Sequence, residues 1–170
     1  SATGVVSTPN AVLNGDQATS RMGISVAGAG DTNGDGYDDV IVGARLYDLG
    51  QFDEGAAFVY HGSPSGLSPT PNWTVSANQD FTWFGFSVAS AGDVNGDLKT
   101  DLVTANDYGN SVSVLLGNGA GGFATAQNYA VGSGPTSVVL GDFNNDTMLD
   151  IATANLASSS VSLLRGRGDG

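Results

Sequence analysis

The chain has no cysteine, one histidine (His61), one glutamate (Glu54) and only five lysines and arginines in 170 residues. Without cysteine there is no thiol nucleophile and no disulfide, and the redox compartment cannot be read from the composition. Zinc is left without its favoured His and Cys ligands. Five basic side chains against 17 acidic ones give a net charge of −12, so no basic face exists to neutralise phosphates and nucleic-acid binding is excluded. No apolar run is long enough to span a membrane, and no signal-peptide pattern is present. A Gly-x-Ser-x-Gly nucleophile elbow is absent too. His61 follows a strand-like run, where a turn or surface role outweighs catalysis. Paired carboxylates occur only in the Asp-rich loops described next. The chain therefore reads as a non-enzyme.

What is present is a motif in triplicate. Asp31-Thr32-Asn33-Gly34-Asp35-Gly36-Tyr37-Asp38-Asp39 recurs from Asp93 to Asp101 and from Asp142 to Asp150. Each copy places oxygen-bearing side chains at positions 1, 3, 5 and 9: Asp31, Asn33, Asp35 and Asp39; Asp93, Asn95, Asp97 and Asp101; Asp142, Asn144, Asp146 and Asp150. A hard cation such as calcium takes six to eight oxygen ligands, and a tightly wound loop turns alternate side chains toward one point. Position 7 (Tyr37, Lys99, Met148) is expected to add a backbone carbonyl, and position 9 a carboxylate, monodentate or bidentate. One such match is also an ordinary solvated turn; three in register point to calcium, about three ions per chain. Three divalent ions would halve the net charge. The EF-hand is excluded, because position 12 is Val42, Thr104 or Thr153 instead of Glu. Gly36 suits a sharp turn at position 6, whereas Leu98 and Thr147 resist a positive φ. The first loop is expected to bind best.

Aligning on these loops exposes a longer repeat. A run such as Ser25–Gly30, Ser87–Gly92 or Ser137–Gly141 precedes each loop. A run such as Val40–Ala44, Leu102–Asn106 or Ile151–Asn155 follows it. A third comes at Ala56–Tyr60, Ser111–Leu116 and Ser160–Leu164, and a more polar fourth near Trp73–Ser76 and Gln127–Val131. Short apolar runs between turn residues read as buried strands, and 26 glycines with many Val, Ser and Thr suit all-β structure. The expected fold is an all-β propeller of four-stranded blades, three per chain: blade 1 over about 22–77, blade 2 over about 84–131, blade 3 over about 135–166. The third unit lacks room for a fourth strand, while Pro9-Asn10-Ala11-Val12-Leu13 resembles Pro71-Asn72-Trp73-Thr74-Val75. Residues 9–14, from the same or a partner chain, are expected to supply that strand, as in rings closed by one terminus.

Met22-Gly23 and Phe84-Gly85 before the first two loops, and Gly43-Ala44-Arg45 after the first, resemble the FG-GAP repeat of integrin α-subunit β-propellers. The third unit, and Leu115–Phe123, are similar to related repeats of bacterial secreted and adhesion-type proteins. Arg45 stands where the family has Pro, and Met22 where it has Phe. The resemblance covers roughly residues 9–168. It implies a non-enzymatic, extracellular scaffold or adhesion-type interaction module in which calcium is structural. Propellers of this kind usually carry seven blades in one chain. Three blades are too few to close around an axis, and an open arc leaves a blade face and an edge strand exposed. A homodimer of six blades is the expected solution. The alternatives are a trimmed or designed fragment, and, with no Met at Ser1, a processed product.

Some propellers with this resemblance are lectins, so calcium-dependent glycan binding is the second reading, and a calcium-dependent enzyme acting on polysaccharide the third. Trp73, Trp83, Tyr47, Tyr108, Phe52 and Phe81 could stack on sugar rings or anchor a protein partner. The bland alternative is that Trp73 and Trp83 fill space between blades, which leaves Tyr47 and Phe52 as the better surface candidates. Arg167-Gly168-Asp169 spells an integrin-recognised tripeptide, but it aligns with Asn118-Gly119-Ala120 in the preceding repeat and reads as coincidence.

Overall fold

The computed structural model describes residues 11–168. Among them are eleven strands in three antiparallel sheets. Sheet 1 runs β1 (Met22–Gly30), β2 (Asp39–Ala44), β3 (Ala56–Tyr60), β4 (Trp73–Ser76) in spatial order. Sheet 2 repeats it with β5 (Ser87–Gly92), β6 (Asp101–Asn106), β7 (Ser111–Leu115) and β8 (Gln127–Ala130). Sheet 3 has β9 (Pro135–Gly141), β10 (Asp150–Asn155) and β11 (Ser160–Leu164), with β10 central. Each sheet is an up-and-down meander in which the Asp-rich loop joins the first two strands.

The strands form where the apolar runs stand, and their register repeats. Val40 pairs with Tyr60, Leu102 with Leu115 and Ile151 with Leu164. Second and third strands are buried on both faces in sheets 1 and 2, which is why those sequences are continuous apolar runs rather than alternating ones. In sheets 1 and 2 the first strand ends in a register shift at Gly30 and Gly92, both at positive φ, a bulge that re-aims the chain into the loop.

The first strands β1, β5 and β9 adjoin one another in turn. Between sheets 1 and 2, Ala29, Ile41, Ala57 and Val59 meet Phe84, Val88, Leu102 and Leu115. Between sheets 2 and 3, Val103, Ala105, Val112 and Val114 meet Val138 and Ile151. A third cluster on the far face of sheet 1 comprises Val42, Tyr47, Phe58 and Tyr60, with Leu13 and Met22 packed on it. Consecutive sheets therefore stack face to face.

The resembled signature has a structural reason. Phe84 is buried in the first cluster, and its N–H donates to the Glu54 carbonyl at 2.9 Å. The next residue, Gly85, runs against Gly43 of β2, where a Cβ on Gly43 would overlap the Gly85 carbonyl oxygen and the Ser25 hydroxyl. In sheets 2 and 3 the Gly43-Ala44 position is Ala-Asn instead. Asn106 Nδ2 donates to Ser111 and Ser113 at 3.0 and 2.7 Å, and Asn155 Nδ2 to Ser160 and Ser162 at 3.2 and 2.9 Å. The chain thus mixes two blade styles, one closed by glycine contact and one by a buried amide.

Two expectations need correction. Tyr47 is no surface residue: it is buried edge-on against Phe58, ring centroids 5.1 Å apart, with its hydroxyl donating to Asp16 at 3.1 Å. Nor do residues 11–14 pair with sheet 3 of their own chain, since they form no strand and Leu13 packs on sheet 1; residues 9 and 10 lie outside the described residues. Sheet 3 accordingly has three strands, leaving Val139, Val161 and Leu163 exposed. Trp73 does fill space between sheets, 4.8 Å from the Phe123 ring.

Candidate metal centre

The three Asp-rich loops adopt one hydrogen-bond pattern. In the first, Asp31 Oδ1 accepts from the N–H groups of Gly34 and Asp35 at 2.8 and 3.1 Å, and Oδ2 from Gly36 at 2.8 Å. Asn33 Oδ1 accepts from the Asp35 N–H at 3.0 Å, and Asp35 Oδ1 from Tyr37 at 2.9 Å. In the second, Asp93 takes Gly96, Asp97 and Leu98, Asn95 takes Asp97, and Asp97 takes Lys99. In the third, Asp142 takes Asp146 and Thr147, Asn144 takes Asp146, and Asp146 takes Met148. Short Asx side chains that bond their own backbone two residues on are what wind such a loop. Positions 1, 3 and 5 are therefore on the inside of the wind in all three.

Winding demands left-handed residues at positions 4 and 6. Gly34 and Gly36 have φ of 76° and 89°, and Gly96 has 79°. Leu98, Asn145 and Thr147 are forced to 65°, 62° and 73°. A β-branched residue at positive φ is an outlier, so the sequence difference at position 6 is backbone strain in the second and third loops.

The ninth-position carboxylates, Asp39, Asp101 and Asp150, are completely buried. Asp39 accepts from the N–H of Thr32 at 2.9 Å and of Gly62 at 2.8 Å, and from the Thr32 hydroxyl. Asp101 accepts from Val94 at 2.9 Å and Gly117 at 2.8 Å, and Asp150 from Phe143 at 3.2 Å and Gly166 at 2.9 Å. Each clips position 2 of its loop to the turn that follows the third strand. Sequence reasoning missed the second half of this clip. Its signal is the glycine that recurs just after each third strand, as Gly62, Gly117 and Gly166. A Cβ there would overlap the carbonyl oxygen of Asp38, Thr100 or Leu149.

Loops and turns also interlock between sheets. The Gly121 N–H donates to the Thr32 carbonyl at 3.0 Å, and Gly34 lies against the Gly119 carbonyl; Gly96 meets Gly168 in the same way. Gly119 and Gly168 share a φ near 70°, at 73° and 67°, so Arg167-Gly168 sits in the turn of the repeat with which it aligns; Asp169 lies outside the described residues. His61, at the sheet 1 turn, places Nδ1 3.3 Å from Asn33 Nδ2, and its Nε2 is buried without a partner.

The electrostatics follow from these bonds. Backbone N–H donors, the Gly36 N–H foremost, hold the Asp31 carboxyl below its ordinary value of 3.8 despite some desolvation. Lys99, whose ammonium lies 3.0 Å from Oδ2, holds Asp97 down. Desolvation pulls Asp142 up, but the N–H groups of Thr147, Asp146, Asn145 and Asn144 outweigh it and the net direction is down. Burial pushes Asp101 up, against the N–H bonds of Gly117 and Val94. All these groups favour the charged form except the buried ninth-position one.

Among the described residues, no three His, Cys, Asp or Glu side chains gather closely enough to hold a metal as they stand. The loop carboxylates are engaged with backbone amides. The donor set is nonetheless all oxygen, and Lys99–Asp97 is the single ion pair among the described residues, leaving the other loop carboxylates without a cation. Asp31, Asp39 and Asp93 each accept three hydrogen bonds, which leaves one lone-pair site of roughly four on each carboxylate for a cation. These residues fit a hard divalent cation.

The comparisons with known proteins come to the same repeats. The model for the FG-GAP repeat matches residues 22–60, and that for the FG-GAP-like repeat residues 93–153. The chain is 40% identical over 106 residues to integrin alpha pat-2 of Caenorhabditis briggsae, a match covering 60% of this chain and 8% of that protein. It is 32% identical over 101 residues to integrin alpha-5 of Xenopus laevis, covering 57% and 9%. A match of 38% over 99 residues to phosphatidylinositol-glycan-specific phospholipase D of Bos taurus covers 57% and 12%. The chain thus spans about a tenth of the length of these relatives. From the matched models, the relatives and the glycine contacts that explain the signature, residues 22–60 and 93–153 are FG-GAP-type repeats like those of integrin α-subunits.

Proposed function

We propose that the chain is a non-enzymatic, calcium-stabilised β-propeller module of adhesion type, with one ion in each Asp-rich loop. The observation that carries this reading is the threefold recurrence of one wound, oxygen-lined loop whose carboxylates, Asp97 beside Lys99 apart, lack cationic partners among the described residues. Positions 1, 3, 5 and 9 (Asp31, Asn33, Asp35, Asp39 and their counterparts) would supply side-chain oxygens, and the carbonyls of Tyr37, Lys99 and Met148 a further one each. Bound calcium would cancel the clustered negative charge. The loop residues set the turn between the first two strands of each blade, and through Thr32 and Gly34 the first loop braces the turn of the next blade. The repeat-bearing integrin relatives support a binding role over a catalytic one, and the same likeness supports an extracellular location. Among the described residues no helix is long and apolar enough to cross a membrane.

The blades correspond to about 22–77, 84–131 and 135–166. Their ring would close by homodimerisation, a partner's residues 9–14 adding a strand beside β11. The free edge of β11 and the exposed Val139, Val161 and Leu163 support this, because open edges and apolar faces of this kind invite pairing. Light scattering with calcium and then with EDTA tests it: a mass near twice that of the chain, lost or aggregating in EDTA, is expected. A stable monomer would rule out the exchange. Calcium stoichiometry by isothermal titration tests the loops, with Asp35→Ala expected to remove one ion per chain.

A further inference from the structure

The spaces between consecutive sheets can be compared directly, because the strands repeat in register. Between sheets 1 and 2, the gap beside the third and fourth strands is closed by aromatic rings. Trp73 stands opposite Val59, and its ring lies 4.8 Å from that of Phe123. An antiparallel bridge to Gly117 brings Phe123 there, with the Ala124 N–H donating to the Leu116 carbonyl at 2.8 Å. Both rings pack on the cluster that contains Val59, Leu102 and Leu115.

Between sheets 2 and 3 the same place is open. Gln127 stands opposite Val114 as Trp73 stands opposite Val59. Among the described residues nothing bridges Gly166 as Phe123 bridges Gly117. What remains is a cleft of about 760 Å³ walled by Val114, Tyr129, Leu149, Ile151 and Leu164. Val114, Ile151 and Leu164 are the register counterparts of Val59, Leu102 and Leu115, so this is the wall on which a phenyl ring packs in the preceding gap. The Tyr129 hydroxyl donates to Gln127 Oε1 at 3.0 Å, which ties the ring to its own strand.

Charge singles out the mouth of this cleft. Arg165 and Arg167 line it, in the places that Leu116 and Asn118 hold in sheet 2. They are two of only five basic side chains in a chain of net charge −12. Of the others, Lys99 pairs with Asp97 at 3.0 Å, and Arg45 lies over the Trp83 ring at 4.6 Å. No acidic side chain among the described residues comes within ion-pair distance of Arg165 or Arg167. The field of the whole chain repels anions, so a pair of guanidinium groups on an apolar wall marks the one place suited to hold one.

We infer that the cleft between sheets 2 and 3 binds an aromatic carboxylate. Its ring lies where that of Phe123 lies in the preceding gap, and its carboxylate meets Arg165 and Arg167. Guanidinium forks match carboxylate geometry, and mostly apolar walls with a few placed polar groups at this volume are the usual form of a small-molecule site. The aromatic residues singled out in the sequence take no part. Phe52 pairs with Phe81 and Trp83 with Tyr108, ring centroids 5.3 and 5.4 Å apart, and none of the four lines this cleft. The site goes beyond the calcium reading and depends on no oligomeric state. A strand added to β11 in the register of β8 on β7 would run along Ser160–Leu163, short of Gly166.

The test is isothermal titration of the intact chain, in calcium, with three probes. Naphthylacetate carries ring and charge, naphthylacetamide keeps the ring and loses the charge, and acetate keeps the charge and loses the ring. Arg165 and Arg167 are exposed, so the double variant Arg165→Gln, Arg167→Gln should keep its fold by circular dichroism. Arg21→Gln, exposed and away from the cleft, controls for loss of positive charge. Expected is binding of naphthylacetate that shifts the Gly166 amide resonance and is unchanged in Arg21→Gln. It should weaken at least about tenfold in the double variant, as loss of charge-assisted hydrogen bonds requires, and the amide and acetate should bind the native chain at least about tenfold more weakly. The inference is overturned if naphthylacetate does not bind, if the amide or acetate matches it, or if the double variant binds it as tightly. Shifted resonances that lie away from Tyr129, Leu164 and Gly166 would overturn it as well.

Discussion

Gly85 and Gly43, from consecutive blades, lie backbone against backbone, so that a Cβ on Gly43 would overlap the Gly85 carbonyl oxygen. The atom that blocks it is main chain, held by the Ser25 hydroxyl at 3.1 Å and by the Gly85 N–H bond to Thr104 Oγ1 at 2.9 Å. Neither blade can yield without losing a hydrogen bond. Gly43→Ala should therefore destabilise the chain by at least the ~1–3 kcal/mol typical of overpacking, read as a lower urea midpoint. An unchanged midpoint would mean the blades slide freely, and the contact does not set their spacing.

Leu98 and Thr147 carry strain that Gly36 does not. Leu98→Gly and Thr147→Gly should each relieve about 1–2 kcal/mol of left-handed backbone strain, partly offset by the entropy of a more flexible unfolded chain. The expected outcome is equal or higher melting temperature and tighter calcium binding at the altered loop. Gly36→Leu should do the reverse at the first loop. If calcium affinity ignores position 6, the ranking that puts the first loop ahead is wrong.

Much of this was legible in the sequence, and the reason is specific. Asp, Asn and Gly at fixed offsets dictate a local winding that needs no tertiary help, so the three loops and the strands beside them follow from residues 31–44, 93–106 and 142–155 alone. The partners of the ninth-position Asp were not legible, because Gly62 lies 23 residues on from Asp39, while Gly117 and Gly166 lie 16 on from Asp101 and Asp150. Tyr47 misled for a similar reason. It sits in an inserted loop, where exposure is the default, but Asp16 and Phe58 draw it into the core. Glu54 gave no signal at all: fully buried, it accepts from the N–H groups of Leu49, Gln51 and Asn78, in two segments that only the fold brings together.

Asp39 should be the costliest loop carboxylate to remove even without metal. Asp39→Ala leaves the buried N–H groups of Thr32 and Gly62 without acceptors, at about 1–3 kcal/mol each. Asp35→Ala leaves no such buried donor. In EDTA, Asp39→Ala is therefore expected to melt well below Asp35→Ala, by differential scanning calorimetry. Equal melting would show that the ninth position acts only as a metal ligand.

Acid should weaken the metal-free chain in a defined window. Asp31, Asp97 and Asp142 have folded values below the ordinary 3.8, so the unfolded chain binds protons more readily and stability is lost as pH falls from about 4 through the folded values. Asp101, pushed up by burial, has the opposite sign: its protonation above the ordinary carboxylate value favours the fold and offsets the first part of the loss. Denaturant midpoints taken in EDTA from about pH 5 to about pH 3 should hold or fall little at first, then drop. Asp31→Asn should flatten the drop, and a drop of unchanged slope would refute the assignment.

Calcium counted per chain tests the central claim most directly. Exhaustive dialysis against a calcium buffer, followed by elemental analysis and a melting curve before and after EDTA, should find three ions per chain, one for each Asp-rich loop. Chelation should lower the melting temperature. No bound calcium, or a melting temperature that chelation leaves untouched, would mean that the three loops are self-sufficient Asx turns and that the chain is not a calcium-stabilised propeller module.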